Sequence, residues 1–400
     1  MGVEHRGAIL RTDETKVEYK PTSVLQVLKE MKNISQLAVD LGYLAVLFND
    51  GELAERLLQL ENRIDSTAYQ LWMSAALATR DPEDAEKIVG IMKLGSSLDE
   101  ISNAAADLAK MVTLGLSKHP SLKRVFQRLE DRFGMAIIPP SSKLIGQPIG
   151  ETGLDTRAGL KILGIKRDKW IINPGDDEVL REGDVLLTKG PESKVEALNQ
   201  LLRDRSIKVE KIKSYGKVEE LLAEIINTTE MMVDLAYGAL IYNNVEVARE
   251  VIALEEEVDS LHLKLELEVM KRSGRKGREL ESLGLIRMGL TCEMISDAAA
   301  SIADIVVRGL EAHEILIKAF QEVEDTVLMT EVKPGSLIDG KTIEETKLQE
   351  RFNVKILAVR RASKWLYEPN EAFRITGEDV LIATGLLEGI EEVKRLCSSS

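Results

Sequence analysis

The chain is written twice. Val39-Asp40-Leu41 returns as Val233-Asp234-Leu235, and Leu60-Glu61-Asn62-Arg63-Ile64-Asp65-Ser66 returns as Leu254-Glu255-Glu256-Glu257-Val258-Asp259-Ser260. Gly115-Leu116 and His119 return as Gly309-Leu310 and His313, and Pro174 with Asp184-Val185-Leu186 returns as Pro369 with Asp379-Val380-Leu381. The offset is 194 residues until one insertion beside Ser363 makes it 195. The folding unit is therefore a half-chain, and whatever both halves keep is a candidate for what that unit is for.

Composition narrows the function classes. Four hundred residues with 44% hydrophobic and 30% charged content suit a soluble protein of two to four domains. A net charge of −14 argues against a general nucleic-acid binder, which needs a basic face to neutralise phosphates. The longest apolar stretches, Leu37 to Phe48 and Met231 to Tyr242, fall short of the ~20 residues that span a bilayer, and each carries an aspartate. The N-terminal residues lack the apolar run of a secretory signal. Cys292 and Cys397 match no metal or redox spacing and read as free thiols in a reducing compartment.

Each half has one order: long helices, then short strands. In the first half Ser23 is placed to cap a helix with the stripe Val27, Met31, Ile34, Leu41, Phe48, which Asn49-Asp50-Gly51 breaks. A second helix carries Leu53, Leu57, Leu60, Ile64 and Leu71. Asp81-Pro82 then caps and opens a third, expected to run to about Leu116. A short helical piece spans Leu122 to Leu129. Strands are expected at Met135 to Ile138, Leu160 to Ile165, Trp170 to Ile172 and Val185 to Leu187, with a helix from Pro191 to Leu202. The second half repeats this: helices to about Gln321, strands near Val327 to Glu331, Val354 to Val359, Trp365 to Tyr367 and Val380 to Ile382, and a helix from Leu387 to Cys397.

Tyr19-Lys20-Pro21, Val39-Asp40-Leu41, Leu47-Phe48-Asn49-Asp50 and Leu60-Glu61-x-x-Ile64-Asp65 together resemble the PhoU-like helical domain. Leu180-x-x-Gly183-Asp184-Val185-Leu186, closing a strand with a helix after Gly190, resembles the TrkA-C domain (the RCK C-terminal domain) of potassium-transport regulators. The tandem order resembles an archaeal potassium-channel-related family. The implied fold is α+β: two PhoU-like antiparallel helical bundles alternating with two small TrkA-C-type α/β sandwich domains, by internal duplication. The expected bounds are a tail at 1–19, bundles at 20–133 and 206–327, and TrkA-C domains at 134–205 and 328–400. The second copy departs at one turn, where Glu378 replaces Gly183 and Gly377 stands one position earlier, which is expected to shift that turn by a residue.

Carboxylates are the main chemical signal. Glu61 and Asp65, four apart, share a helix face, as do Glu255 and Asp259. The first pair lies in a row with Ala54, Leu58, Ala68 and Trp72, which suggests burial; the second row turns polar after Asp259 at His262 and Glu266. Glu293 and Asp297 interrupt an apolar row on the third helix of the second half, and Asp40 and Asp234 sit among apolar neighbours. Buried acids need a partner or a metal, and three helices each presenting one would form an all-oxygen site for a divalent cation. The PhoU resemblance implies metal motifs of this Glu/Asp-x-x-x-Asp form. The set is Asp234, Glu255, Asp259, Glu293 and Asp297, with Asp40, Glu61, Asp65 and Asp99 as its first-half counterpart, weakened because Asp99 and Asn103 replace Glu293 and Asp297. The plain alternative is that these acids pair with Lys or Arg at the bundle edge.

His119 and His313 read as histidines favoured at helix C-termini by the dipole, and His262 as an additional nitrogen ligand only if Ala68 in the other half is disregarded. Lys271 to Arg278 forms a basic loop matched by the acidic Asp81-Pro82-Glu83-Asp84 in the first half. It reads as a solvated loop or as a contact to anionic lipid or an acidic partner. There is no Gly-x-Gly-x-x-Gly after a strand, no phosphate-binding Gly-rich lysine loop, no repeated nucleophile constellation and no potassium-filter sequence.

The resemblance implies a non-enzymatic, cytoplasmic regulator, peripheral at the membrane, of a potassium channel or transporter held non-covalently. A small anionic ligand of nucleotide type is expected in the TrkA-C domains, with Lys166, Arg167, Arg360 and Arg361 as repeat-matched cations, and a divalent metal in the bundles. The alternative is a PhoU-like phosphate-signalling adaptor. Domains that pair between chains elsewhere are expected to pair here within one, with a homodimer on top.

Overall fold

The computed structural model describes residues 17–154, 159–202, 216–273, 279–310, 320, 325–362 and 364–398. Helices α1 (Val24–Phe48), α2 (Gly51–Ala78) and α3 (Pro82–Thr113) form one bundle. Short connections force consecutive helices antiparallel. Asp50 caps α2 by accepting from the N–H groups of Glu52 and Leu53, and Asp81 caps α3 by accepting from that of Asp84. Ser23 precedes α1 but its side chain makes no cap bond. α3 stops at Thr113, short of Leu116, because Gly115 turns left-handed (φ 74°) into a 3₁₀ turn, Leu116–Lys118. The short helix α4 (Pro120–Phe126) follows.

The first sheet has strands β1 (Asp131–Ile137), β2 (Lys161–Lys166), β3 (Trp170–Ile172) and β4 (Val185–Pro191), with α5 (Ile149–Thr152) between β1 and β2 and α6 (Glu192–Leu201) after β4. The second half supplies α7 (Lys217–Tyr242), α8 (Val245–Ser273), α9 (Glu279–Val307), β5 (Asp325–Glu331), α10 (Ile343–Thr346), α11 (Leu348–Phe352), β6 (Val354–Arg361), β7 (Lys364–Tyr367), β8 (Val380–Leu386) and α12 (Leu387–Cys397). The second helical section was expected to reach about Gln321: α9 ends at Val307 and Phe320 is again helical, while residues 311–319 and 321–324 lie outside the described set.

Both sheets are antiparallel and share one topology, β1-β4-β2-β3 and β5-β8-β6-β7. Each is covered on both faces, so its strands read as continuous apolar runs. Ile162, Ile165 and Leu186 point to the domain's own small core, while Leu163 and Leu187 join the helical core. Leu163 sits at a register shift between Ile162 and Gly164, and its repeat mate Leu357 at the same shift between Ile356 and Ala358. A bulge turns one extra side chain toward the bundle, and both leucines are buried there.

The two halves share one core. α3 packs against α9, and Lys93 near the start of α3 pairs with Asp304 near the end of α9, so the two helices run antiparallel. Gly284 permits the contact, since a Cβ there would stand 2.6 Å from the Leu116 carbonyl oxygen. Glu219 at the start of α7 receives Arg124 of α4 at 2.7 Å and Arg272 of α8 at 3.3 Å. The two β-rich domains also meet, with Gly159 against Asn353, and Lys355 pairs with Glu130 just before β1. The arrangement is an internal pseudo-twofold. Among the described residues no helix is long and apolar enough to cross a membrane.

The turn expected to shift at Glu378 does not. Glu378 takes the left-handed conformation of Gly183 (φ 73° against 81°), and its N–H bonds Val332 O as that of Gly183 bonds Ile138 O. Gly377 is held by packing, with room for no Cβ beside Pro334. A left-handed glutamate is strained by roughly 1–2 kcal/mol, partly offset by the greater unfolded-state freedom of glycine. Glu378→Gly is therefore expected to raise stability by about 0.5–1 kcal/mol in urea unfolding, with Glu378→Ala giving no gain.

Candidate functional site

Two places gather charged groups. The first is the groove between α8 and α9. Val258, Leu261 and Leu265 take the inner face of α8, so Glu255 and Asp259 fall on its outer flank, facing Asp297 of α9. One ligand oxygen from each of the three lies within 4.8 Å of the others. This spacing suits a cation bridging the carboxylates, and an all-oxygen donor set suits Mg, Mn or Ca with water completing the shell. Burial raises the Glu255 pKa, and Asp259 and Asp297 add to it by repulsion. Asp297 is raised by burial, then by Glu293, Asp259 and Glu100. A bound cation would relieve that repulsion.

The site differs from the expected one in three ways. The acid row is not buried: Asp259 and Asp297 are exposed and Glu255 half-buried, because the neighbouring helical rows fill the core. Two helices supply the acids, not three, since Asp40 and Asp234 lie with the other cluster of charges. Glu293 is drawn aside by His262, whose Nδ1 is 2.7 Å from it.

The first-half groove holds Glu61, Asp65 and Asp99. Burial raises Glu61, and Asp65 and Asp99 repel it further. Asp99 is pushed up to about 6 by burial and then by Asp65, against a hydrogen bond from Asn103 Nδ2 at 3.3 Å. Its Oδ1 is buried without a hydrogen-bond partner. α3 thus presents its acid at Asp99, the mate of Glu293, one helical turn before Asn103, the mate of Asp297.

The second place is a cavity of about 150 Å³ between α1, α7 and the two sheets. Repeat mates face each other across it: Asp40 and Asp234, Tyr43 and Tyr237, Ile101 and Ile295, Lys161 and Lys355. It therefore lies on the pseudo-twofold axis. Lys189 of β4 reaches Asp40 of α1 at 2.9 Å and Glu230 of α7 at 3.1 Å. It also lies 5.4 Å from the centre of the Phe133 ring. Burial alone would lower its pKa, but the two carboxylates hold it well above the ordinary lysine value. Glu230 has Gln36 as its mate, and Lys189 has Thr384. On that side Lys32 donates to Gln36 Oε1 at 2.8 Å and stands over the Tyr237 ring. Sequence reasoning missed this cluster, although two lysines at strand ends inside apolar runs were a signal.

The four cations expected to hold an anionic ligand do not line this cavity. Arg167 forms a fork with Asp184, Nε to Oδ1 at 2.9 Å and NH2 to Oδ2 at 2.8 Å, and also meets Glu178. Arg361 does the same with Asp379 at 2.8 and 2.7 Å. Each aspartate also accepts a turn N–H, from Arg181 or Thr376. The repeated Asp-Val-Leu motif is thereby a clamp that shapes the domain. Lys166 pairs with Glu52 at 2.9 Å, fastening the first sheet to α2, and Arg360 stands over Trp365. His119, expected at a helix C-terminus, instead caps the N-terminus of α4, accepting from the Ser121 N–H and facing Glu281 at 2.8 Å. His313 lies outside the described residues, as does 274–278 of the basic loop.

A family model for the PhoU domain matches residues 28–112 and 222–306, and one for the TrkA-C domain matches 135–203 and 327–398. The chain alternates PhoU and TrkA-C domains, each present twice. Both are families of regulatory and not catalytic domains. Among solved structures, this tandem protein is similar to PhoU from Pseudomonas aeruginosa, at 16% identity over 72% of this chain and 96% of that one, with a TM-score of 0.41. It is similar to the phosphate transport system regulatory protein PhoU from Streptococcus pneumoniae, at 15% identity over 71% and 91%, with a TM-score of 0.38. The GsuK RCK domain matches at 16% identity over 74% and 78%, with a TM-score of 0.18. No curated protein matches the chain.

The raised Asp99 gives a pH test. Because the folded protein holds that proton to about 6 while an unfolded aspartate releases it near ~3.9, the native state binds more protons in between. Stability then falls as pH rises through that window, and the loss persists above it. Without added metal, Asp99→Asn is expected to raise Tm at pH 7 and above and to flatten the decline between pH 4 and 6 in thermal scans.

Proposed function

We propose that this tandem protein is a regulatory accessory of membrane cation transport, with potassium as the transported ion. A small ligand in the cavity between the TrkA-C domains and a divalent metal at Glu255, Asp259 and Asp297 act as its inputs. The observation that carries the reading is the cavity's position: it touches both bundles and both TrkA-C domains, so an occupant bears on every domain contact at once. A pocket of 150 Å³ is below the ~300–1,000 Å³ that drug-sized ligands occupy. A nucleotide-sized anion would have to part the two TrkA-C domains, and that separation would be what a membrane partner reads. The metal would tie α8 to α9 and stiffen the second bundle.

A second reading, a phosphate-signalling adaptor, is favoured by the PhoU match to both bundles. Uptake measurements separate the two. Loss of the gene in its host is expected to alter rubidium uptake and leave phosphate uptake unchanged; the opposite result makes the adaptor reading correct. For the metal, Mn²⁺ at ~100 times its Kd would stabilise by about 2.7 kcal/mol. Tm should rise with Mn²⁺ in the parent protein and in Glu61→Gln/Asp65→Asn, but not in Glu255→Gln/Asp259→Asn. Equal shifts in all three would remove the second bundle from the proposal.

A further inference from the structure

Two positions on α8 differ in kind from their repeat mates. The first half sets Ala68 and Trp72 four residues apart on α2, and the second sets His262 and Glu266 at the mate positions of α8. Residues four apart share one helix face, so an apolar pair in one half stands against an imidazole and a carboxylate in the other. The core beside them is alike in both halves: Leu71 and Leu265 are mates and both are fully buried.

The imidazole is held in one tautomer. His262 is 8% exposed, and its Nδ1 stands 2.7 Å from Glu293 Oε2 on α9. A carboxylate accepts, so Nδ1 carries the hydrogen and Nε2 keeps its lone pair. Nε2 is buried and has no hydrogen-bond partner among the described residues. A buried acceptor left without a donor carries a desolvation cost that nothing here returns. A hydrogen on Nε2 would fare no better, because Glu266 Oε1 is 3.9 Å away, too far to accept it. Gly289 of α9 keeps clear the space beside this edge of the ring: a Cβ there would stand 2.9 Å from His262 Cδ2 and 3.4 Å from Nε2.

We propose that His262 Nε2 and Glu266 bind a first-row transition-metal ion, with zinc as the best match. Bonds of ~2.0–2.1 Å to nitrogen and ~2.0–2.2 Å to oxygen reach across the 3.9 Å between the two groups. Rotation of the partly exposed Glu266 side chain brings the angle at the metal toward tetrahedral. Glu293 holds Nδ1 from behind, the carboxylate–histidine–metal order that fixes the ring and raises its basicity. Water fills the remaining positions, so the ion exchanges readily, as an input must. An imidazole donor favours zinc over Mg or Ca, which separates this site in kind from the all-oxygen group Glu255, Asp259 and Asp297. The proposal uses none of those three acids and stands apart from the choice of transported ion.

Calorimetric titration of the metal-free full chain with Zn²⁺ tests it, in a Glu255→Gln/Asp259→Asn background that removes the all-oxygen group. One equivalent of Zn²⁺ is expected to bind, and excess Ca²⁺ is expected not to displace it. His262→Ala, which installs the residue of the first half, should weaken Zn²⁺ binding by about 100-fold or more, and Glu293→Ala by about 10–100-fold. Glu266→Gln, at a partly exposed position where folding is not at stake, should weaken it by about tenfold or more. Circular dichroism checks that each variant keeps its helical content. No Zn²⁺ binding in the background chain would overturn the proposal. So would His262→Ala or Glu266→Gln binding Zn²⁺ as tightly as that chain, since the metal would then be an adventitious ion only. The Mn²⁺ response of the all-oxygen group is a separate measurement, so either site can fail without the other.

Discussion

The Lys189 ammonium, held between Asp40 of its own half and Glu230 of the other, is the contact on which the remaining architecture depends. Buried charges are tolerated only when paired and hydrogen-bonded, so this lysine demands that β4, α1 and α7 keep their positions together. The same demand fixes the first sheet on both bundles. Its repeat mates, Gln36 and Thr384, are neutral. Lys93 pairs with Asp304, yet their mates are Arg287 and Lys110, two cations. Two copies of the first half would set Lys93 toward Lys110 and leave Lys189 without Glu230. The halves have therefore become complementary, and each selects the other.

That complementarity explains why the candidate sites are unequal. A symmetric dimer would carry two equivalent grooves and a symmetric cavity. Here the second half brings Glu255, Asp259 and Asp297 together, whereas the first leaves Asp99 with an orphaned oxygen and a raised pKa. The cavity sets Lys189 against Asp40 and Glu230, whereas the mate positions are the neutral Thr384 and Gln36. Its two walls are therefore chemically different.

Much of the fold was legible because the repeat and the periodicity agree: Asp50 and Asp81 as caps, the strand positions, and the order of helices and sheets all follow from local pattern. The errors have physical causes. The Glu61/Asp65 row looked buried because alanines and a tryptophan share it, but a three-helix bundle has room for only one inward row on α2, and Leu57, Ile64 and Leu71 fill it. Both halves also keep Arg167 and Arg361, and what both keep is the fork to Asp184 and Asp379. Glu378 looked like a shifted turn because local propensity favours glycine, and packing of Gly377 on Pro334 overrides it. The Lys189 cluster joins residues 149 apart and 41 apart in sequence, beyond the reach of any local pattern.

A double-mutant cycle across the halves tests the central contact: Lys189→Thr, Glu230→Gln and the two together, which install the neutral residues already present at the mate positions. Urea unfolding should show each single variant destabilised by on the order of 2–3 kcal/mol, with a coupling of about 1.5 kcal/mol or more in the double variant. Recovery would be partial because Asp40 stays uncompensated. Strictly additive losses would contradict the account, since Lys189 and Glu230 would then not hold the halves to each other.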